Sequence, residues 1–226
     1  MTISPRRAAL RLALAAAALL LPAAAHAQYA VPPNTGNTFR DTSILKPPAG
    51  SKVAIIEFED LECPACAHSA PIVRAAVEHY KLPYLRHDFP LKMHIWSRDA
   101  AIYARYMQDK IDPKMAEDYR RAVFAAQINI STKDDMQRFT QRFFQQHGKQ
   151  MPFMVDPAIV AEVQADYNLG ERVGLSQTPT IWVVTPHSWT QVTDVSLLYS
   201  TIDTALSQTV GPAPTSHLKR TSTTKK

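Results

Sequence analysis

Two cysteines, Cys63 and Cys66, are the only ones in the 226-residue chain, and they stand in the run Cys63-Pro64-Ala65-Cys66. Sulfurs with two residues between them can close a disulfide on each other, share a soft metal ion, or supply half of a larger metal site. As a structural staple the pair would achieve little, because a disulfide stabilises mainly by removing loop entropy from the unfolded chain and this loop is minimal. The spacing therefore points to redox chemistry, with a structural bridge or a half metal site as the alternatives.

The flanking sequence sharpens that reading. Lys52–Phe58 is an apolar, β-branched run of a length suited to a buried strand. A helix is predicted from Pro64 to Tyr80, with Ala70, Ile72, Val73, Ala76 and Val77 at helical spacing. Cys63 then lies at a helix N-terminus, where unpaired N–H groups and the positive end of the dipole stabilise a thiolate. Pro64 suits the first turn, since its missing N–H has no helical partner to lose. On this placement Cys63 is the nucleophile and Cys66, facing inward, resolves a mixed disulfide. Pro64 and Ala65 complete the active-site motif.

Further along, Leu82–Leu91 reads as a second strand, and helices are expected to open at Ser97, Asp112-Pro113, Ser131-Thr132 and Asp156-Pro157. Pro179–Val184 and Thr190–Thr193 read as strands and Ser196–Leu206 as a closing helix, with a short strand near Thr42–Leu45. The order is β-α-β, a helical block, then β-β-α. This predicts an α/β protein with a mixed central sheet, helices on its faces and a helical insertion between the halves.

The run Glu57-Phe58-Glu59-Asp60-Leu61-Glu62-Cys63-Pro64-Ala65-Cys66, with Gln177-Thr178-Pro179-Thr180, resembles the DsbA-like branch of the thioredoxin superfamily over residues 40–208. The resemblance implies a thioredoxin-like fold and protein thiol:disulfide oxidoreductase activity, without a cofactor or metal. It also implies that the Thr178–Pro179 bond is cis and lies beside the sulfurs, with Thr178 pairing its backbone to a substrate strand. Glu57, six residues before Cys63, falls where the family often buries an acid beneath the disulfide, able to relay a proton as Cys66 leaves. The implied partners are exported proteins with free thiols or disulfides and a quinone-linked thiol oxidase of the membrane, and the protein is expected to be a monomer. The favoured direction is oxidation of substrate dithiols. The alternatives are a reductase or isomerase, and a metal-holding or peptide-binding CxxC module without turnover. Isomerases of the DsbC kind carry a separate dimerisation domain, whereas about 23 residues lie between the expected cleavage site and the first strand.

The chain departs from the pattern where DsbA places histidine between its cysteines, since Ala65 stands there. Glu59, Asp60 and Glu62 are expected to crowd the approach to Cys63 and disfavour its thiolate. Both departures predict a potential more reducing than the roughly −120 mV of DsbA, nearer about −200 mV. His68, His87 and His94 have no evident ligand partners in the sequence, and the methionines of Met151-Pro152-Phe153-Met154 read as core fillers.

Residues 1–27 read as a signal peptide: Arg6, Arg7 and Arg11, an apolar run from Leu12 to Leu21, and cleavage after Ala27 in an A-x-A pattern. The Arg6-Arg7 pair lacks the Phe-Leu-Lys sequence expected of a twin-arginine signal. Export to the periplasm follows as the expectation. Residues 28–50 read as an extended lead, 51–208 as the thioredoxin-like domain with its insertion at about 97–173, and 209–226 as a disordered basic tail. Without the leader the formal charge falls from +5 to +2, and four of the remaining cations lie in the last eight residues. The body then carries 18 basic against 20 acidic residues, so the pI of about 9.2 gives no sign of a nucleic-acid partner.

Overall fold

The computed structural model describes residues 39–209. The leader expected over 1–27, its cleavage site and the chain beyond Thr209 lie outside the described residues, as does the first part of the lead expected over 28–50, residues 28–38.

Four strands form one mixed sheet among the described residues: β1 (Ala54–Glu59), β2 (Tyr84–Asp88), β3 (Thr180–Val184) and β4 (Trp189–Val192), in the order β2-β1-β3-β4. β1 pairs parallel with β2 and antiparallel with β3, which pairs antiparallel with β4. Every residue of the central strand β1 is buried, as its near-continuous apolar run requires. Alternate side chains face opposite layers. Val53 and Ile55 pack with Val73 and Ala76 of α1 (Pro64–Tyr80) and with Leu198, Ile202 and Ala205 of α6 (Leu198–Thr209). Ala54, Ile56 and Phe58 pack with Phe89, Trp182 and Val173, the last from α5 (Pro157–Val173).

Between β2 and β3 lie α2 (Ser97–Lys110), α3 (Pro113–Ala126), α4 (Lys133–Gln146) and α5. The starts that the sequence marks with capping residues are formed by them. Asp112 accepts from Lys114 N at 3.0 Å, Thr132 from Asp135 N at 3.1 Å, and Asp156 from Ala158 N at 2.9 Å. The insertion closes its own core around Trp96, Met107, Tyr119, Met136 and Phe144. α5 ends at Gly174, whose φ of 93° suits a residue without a Cβ.

The strand expected at Thr42–Leu45 is a turn instead. Asp41 Oδ1 accepts from Ser43 N at 3.0 Å and from the Ser43 hydroxyl at 2.6 Å, so a local side-chain bond replaces strand pairing. The closing helix starts two residues later than expected, because Val195–Leu197 forms a 3-10 turn behind Asp194.

Helix α5 approaches the sheet closely because residue 170 is glycine. A Cβ there would collide with the Phe89 ring and crowd Phe58. Gly170→Ala is expected to cost about 1–3 kcal/mol by overpacking, measured as a lower midpoint in denaturant unfolding. An unchanged midpoint would mean that Phe89 repacks freely.

Candidate active site

The β1–α1 loop delivers Cys63 to the N-cap of α1, with Pro64 at the first helical position and no side-chain cap over the free N–H groups. Both cysteines are free thiols in this structure. Cys63 retains 6% of its surface and Cys66 none. Cys63 Sγ donates to the Thr178 carbonyl at 3.2 Å, and Thr178 immediately precedes Pro179 across a cis peptide bond. Cys66 Sγ accepts from Asp60 N at 3.4 Å. Gln127, from the turn after α3, donates its amide to the carbonyls of Leu61 at 2.7 Å and Cys63 at 3.1 Å, tying the loop to the insertion. Pro64 and Ala65 are exposed at the helix tip.

The two thiols are driven apart electrostatically. A hydrogen bond from the Cys66 thiol is the main influence on Cys63; with Thr178 and the N–H groups of Cys66 and Ala65 it outweighs burial, lowering the Cys63 pKa to about 5. Burial pushes Cys66 strongly upward, and the adjacent Cys63 sulfur and the charge of Glu59 push it further.

β1 carries two acids on the same face, Glu57 and Glu59, and the charge of Glu59 reaches Cys66. Glu57 is wholly buried; the Tyr84 hydroxyl donates to its Oε2 at 2.5 Å, while Oε1 has no hydrogen-bond partner. Burial first, and the charge of Glu59 second, push the Glu57 pKa up to about 8. Glu59 lies one strand repeat nearer the cysteines and accepts from Arg120 Nη1 at 3.0 Å, with Arg86 Nε at 3.7 Å. Arg120 also grips both oxygens of Asp88, at 2.7 and 3.1 Å. Arg105 bridges Asp88 at 3.0 Å to Asp166 at 2.5 Å. A buried ionic chain thus links the sheet beneath the cysteines to α2, α3 and α5 of the insertion.

A carboxyl whose folded pKa is raised favours the fold at low pH, and that contribution is lost as pH rises through the folded pKa. Glu57 is therefore expected to make the protein less stable between about pH 4.3, its unfolded value, and pH 8. Glu57→Gln should remove this slope and raise stability at pH 8 by a few kcal/mol, at most about 5. Thermal unfolding at pH 5 and 8 measures it; an unchanged slope would place the titration elsewhere.

The structure corrects the expectation that Glu59, Asp60 and Glu62 crowd the approach to Cys63. Glu59 and Asp60 are buried, and all three are committed to partners. Asp60 accepts from Glu62 N at 2.8 Å, from Leu91 N at 2.7 Å and from the Ser97 hydroxyl, and it meets His94 Nδ1 at 2.7 Å. Glu62 Oε2 caps α2, accepting from Trp96 N at 2.7 Å and Ser97 N at 2.9 Å. These carboxylates hold loops together.

His68 is exposed on α1. His87 stacks on Phe58 and meets Asp166 at 2.7 Å, a partner 79 residues away that no local spacing reveals. Met151 packs against the insertion core, but Phe153 and Met154 are exposed and are not core fillers. Gln127, Tyr84 and Arg120 join the site without any signal in the sequence, since each acts on residues distant along the chain. Among the described residues no group of three or more His, Cys, Asp or Glu side chains converges as a metal site.

The sequence model of the thioredoxin family matches residues 48–193, and the chain belongs to that family. No curated protein matches it in sequence. Among solved structures it is similar to a periplasmic thioredoxin-like protein from Salmonella enterica serovar Typhimurium, at 18% identity and a TM-score of 0.55, over 70% of this chain and 87% of that one. ScsC of Proteus mirabilis matches at 14% identity and a TM-score of 0.56, over 71% and 70% of the two chains. Alpha-DsbA1 of Wolbachia pipientis matches at 18% identity and a TM-score of 0.50, over 71% and 88%. The thioredoxin-like fold expected from the sequence is borne out, and the DsbA-like resemblance agrees with the fold shared with alpha-DsbA1.

Proposed function

We propose that the protein exchanges the Cys63–Cys66 disulfide with the thiols of substrate proteins, most readily as an oxidase. The observation that carries this is the asymmetry of the pair: Cys63 lies at the helix N-terminus with a pKa of about 5, and Cys66 is fully buried with its pKa forced upward. In the oxidised protein a substrate thiolate attacks Cys63 Sγ. A substrate–Cys63 bond forms, the Cys63–Cys66 bond breaks, and Cys66 departs with the electron pair and takes up a proton. A second substrate thiolate then attacks the substrate sulfur of the mixed disulfide and releases Cys63, a good leaving group because its thiolate is stable. Glu57, protonated below about pH 8, is the proton source on the Cys66 side. Thr178 and Pro179 offer the backbone edge for an extended substrate, consistent with the Thr178 carbonyl lying 3.2 Å from Cys63 Sγ.

The same asymmetry supports the oxidising direction. A stabilised Cys63 thiolate favours the reduced protein and so makes its disulfide oxidising. The periplasmic relative described above supports export to that compartment, with a quinone-linked thiol oxidase of the membrane restoring the disulfide. The test is to mix oxidised protein with a reduced, unfolded disulfide protein and count free thiols. Stoichiometric loss of substrate thiols within minutes is expected. Failure to oxidise it, with rapid reduction of insulin when dithiothreitol is supplied, would establish the reductase direction instead.

A further inference from the structure

β1 and β2 run parallel, so the loops that follow them emerge at the same end of the sheet. One carries Cys63; the other leads into α2 and lines a cavity of about 460 Å³ with α5 and the start of α4. Lys92, His94, Arg98 and Lys133 line it together with Gln164 and Tyr167, and no carboxylate is among its described lining residues. The charge is local, since the body of the chain carries 18 basic against 20 acidic residues. The cavity between α1, β2 and α3 differs: there Glu59, Glu78, Glu117 and Asp118 answer the basic groups.

Of the four basic groups, His94 meets a carboxylate at 2.7 Å, Asp60 Oδ2. Arg98 donates one nitrogen to Gln164 Oε1 at 2.6 Å, which fixes its fork beside α5. Lys92 Nζ stands 6.0 Å from the centre of the Tyr167 ring. Lys133 has an acid in reach, Asp99 at 3.8 Å, which is not part of the lining. Ile95, half exposed on the rim, adds an apolar surface beside the charges.

This cavity is joined to the cysteines through one residue. Asp60 N bonds Cys66 Sγ at 3.4 Å while Asp60 Oδ2 meets His94 Nδ1 at 2.7 Å. The inner edge of His94 is therefore within roughly 10 Å of the Cys66 sulfur. An extended peptide advances about 3.3–3.6 Å per residue. We propose that this cavity binds carboxylate side chains of a substrate polypeptide, two to four residues from the cysteine engaged by Cys63, an assignment that rests on the thiol-exchange reading above.

The test follows reduced protein reacting with disulfide-linked peptide dimers, N-acetylated and C-amidated. Each peptide holds one cysteine and, two and four residues from it, either two glutamates or two lysines. Cys63 attacks the peptide disulfide and releases one peptide thiol; Cys66 then displaces the second, so two electrons pass from the protein dithiol to the dimer. The quantity read is the ratio of second-order rate constants, acidic over basic, within each protein, so a general change in Cys63 reactivity cancels. A ratio of about tenfold is expected at low ionic strength, shrinking severalfold in 0.5 M salt. In the Arg98→Glu/Lys133→Glu protein the ratio should fall below one. A ratio near one in the unaltered protein, or one that the double substitution leaves in place, overturns the proposal. The uncharged 2-hydroxyethyl disulfide separates the two readings: reaction with it and no charge preference sinks only the cavity, whereas no reaction with it sinks the thiol exchange on which the cavity depends.

Discussion

Cys63→Ser is expected to reduce thiol–disulfide exchange by at least about 10⁴-fold, to the background of the reagents alone. A serine hydroxyl at its ordinary pKa is not a nucleophile toward disulfide sulfur, and the stabilising contacts at this position act on a thiolate. Those contacts are the Cys66 thiol, Thr178 and the α1 N–H groups, which hold Cys63 near a pKa of 5. Cys66→Ser should behave differently. Cys63 would still attack a substrate disulfide, but without Cys66 to displace it the mixed disulfide should accumulate and be visible as a mass adduct. The pair of results assigns the two roles. Equal reactivity of the two single variants would contradict the asymmetry between an exposed edge and a fully buried sulfur.

The second large effect concerns stability. Arg120 is 3% exposed and is the shared donor between Glu59 on β1 and Asp88 on β2. Arg120→Leu would leave two buried carboxylates without it, and removing one partner from a buried ionic set costs about 3–5 kcal/mol. For a chain of this size that corresponds to a fall of roughly 10 °C in the unfolding midpoint. Calorimetry at neutral pH measures it, and a fall of only a degree or two would show that Arg86 and Arg105 take over both acids. The same set predicts acid lability. Burial alone would raise the Asp88 pKa, but Arg120 and Arg105 bring it below the ordinary value. A depressed carboxyl contributes stability above its unfolded pKa of about 3.9, and that stability is lost as pH falls through the folded pKa. Unfolding should therefore steepen below about pH 4 in the unaltered protein and less so in Arg120→Leu.

The frame of the fold was legible where the signals are local. Asp112-Pro113, Ser131-Thr132 and Asp156-Pro157 mark helix starts because a capping side chain reaches only two or three residues ahead. The placement of Cys63 at the N-cap of α1 follows from a strand run and a proline at the first helical position. The burial of Glu57 was expected from the resemblance, and the structure has it, but the partners of the acids around the cysteines were not legible. Glu57 and Glu59 interrupt an apolar strand, and nothing local says that Tyr84, Arg86 and Arg120 arrive to receive them from 27 to 61 residues away. Asp60 and Glu62 were misread for the same reason, since their partners come from the β2–α2 loop. The cationic cavity is likewise assembled from three separate segments, with charges that cancel when counted along the sequence. Thr42–Leu45 failed in the opposite sense: Asp41 and Ser43 offered the backbone a local bond that competes with strand pairing.

The most direct test of the account is the reduction potential of the Cys63–Cys66 pair, obtained by equilibrating the protein with glutathione buffers at neutral pH. A Cys63 pKa of about 5 lies between those of DsbA and thioredoxin, about 3.5 and 7, whose potentials are about −120 and −270 mV. A single two-electron transition near about −200 mV is therefore predicted. A protein whose sulfurs stay as two free thiols across the glutathione range, forming no disulfide with each other, would contradict the account.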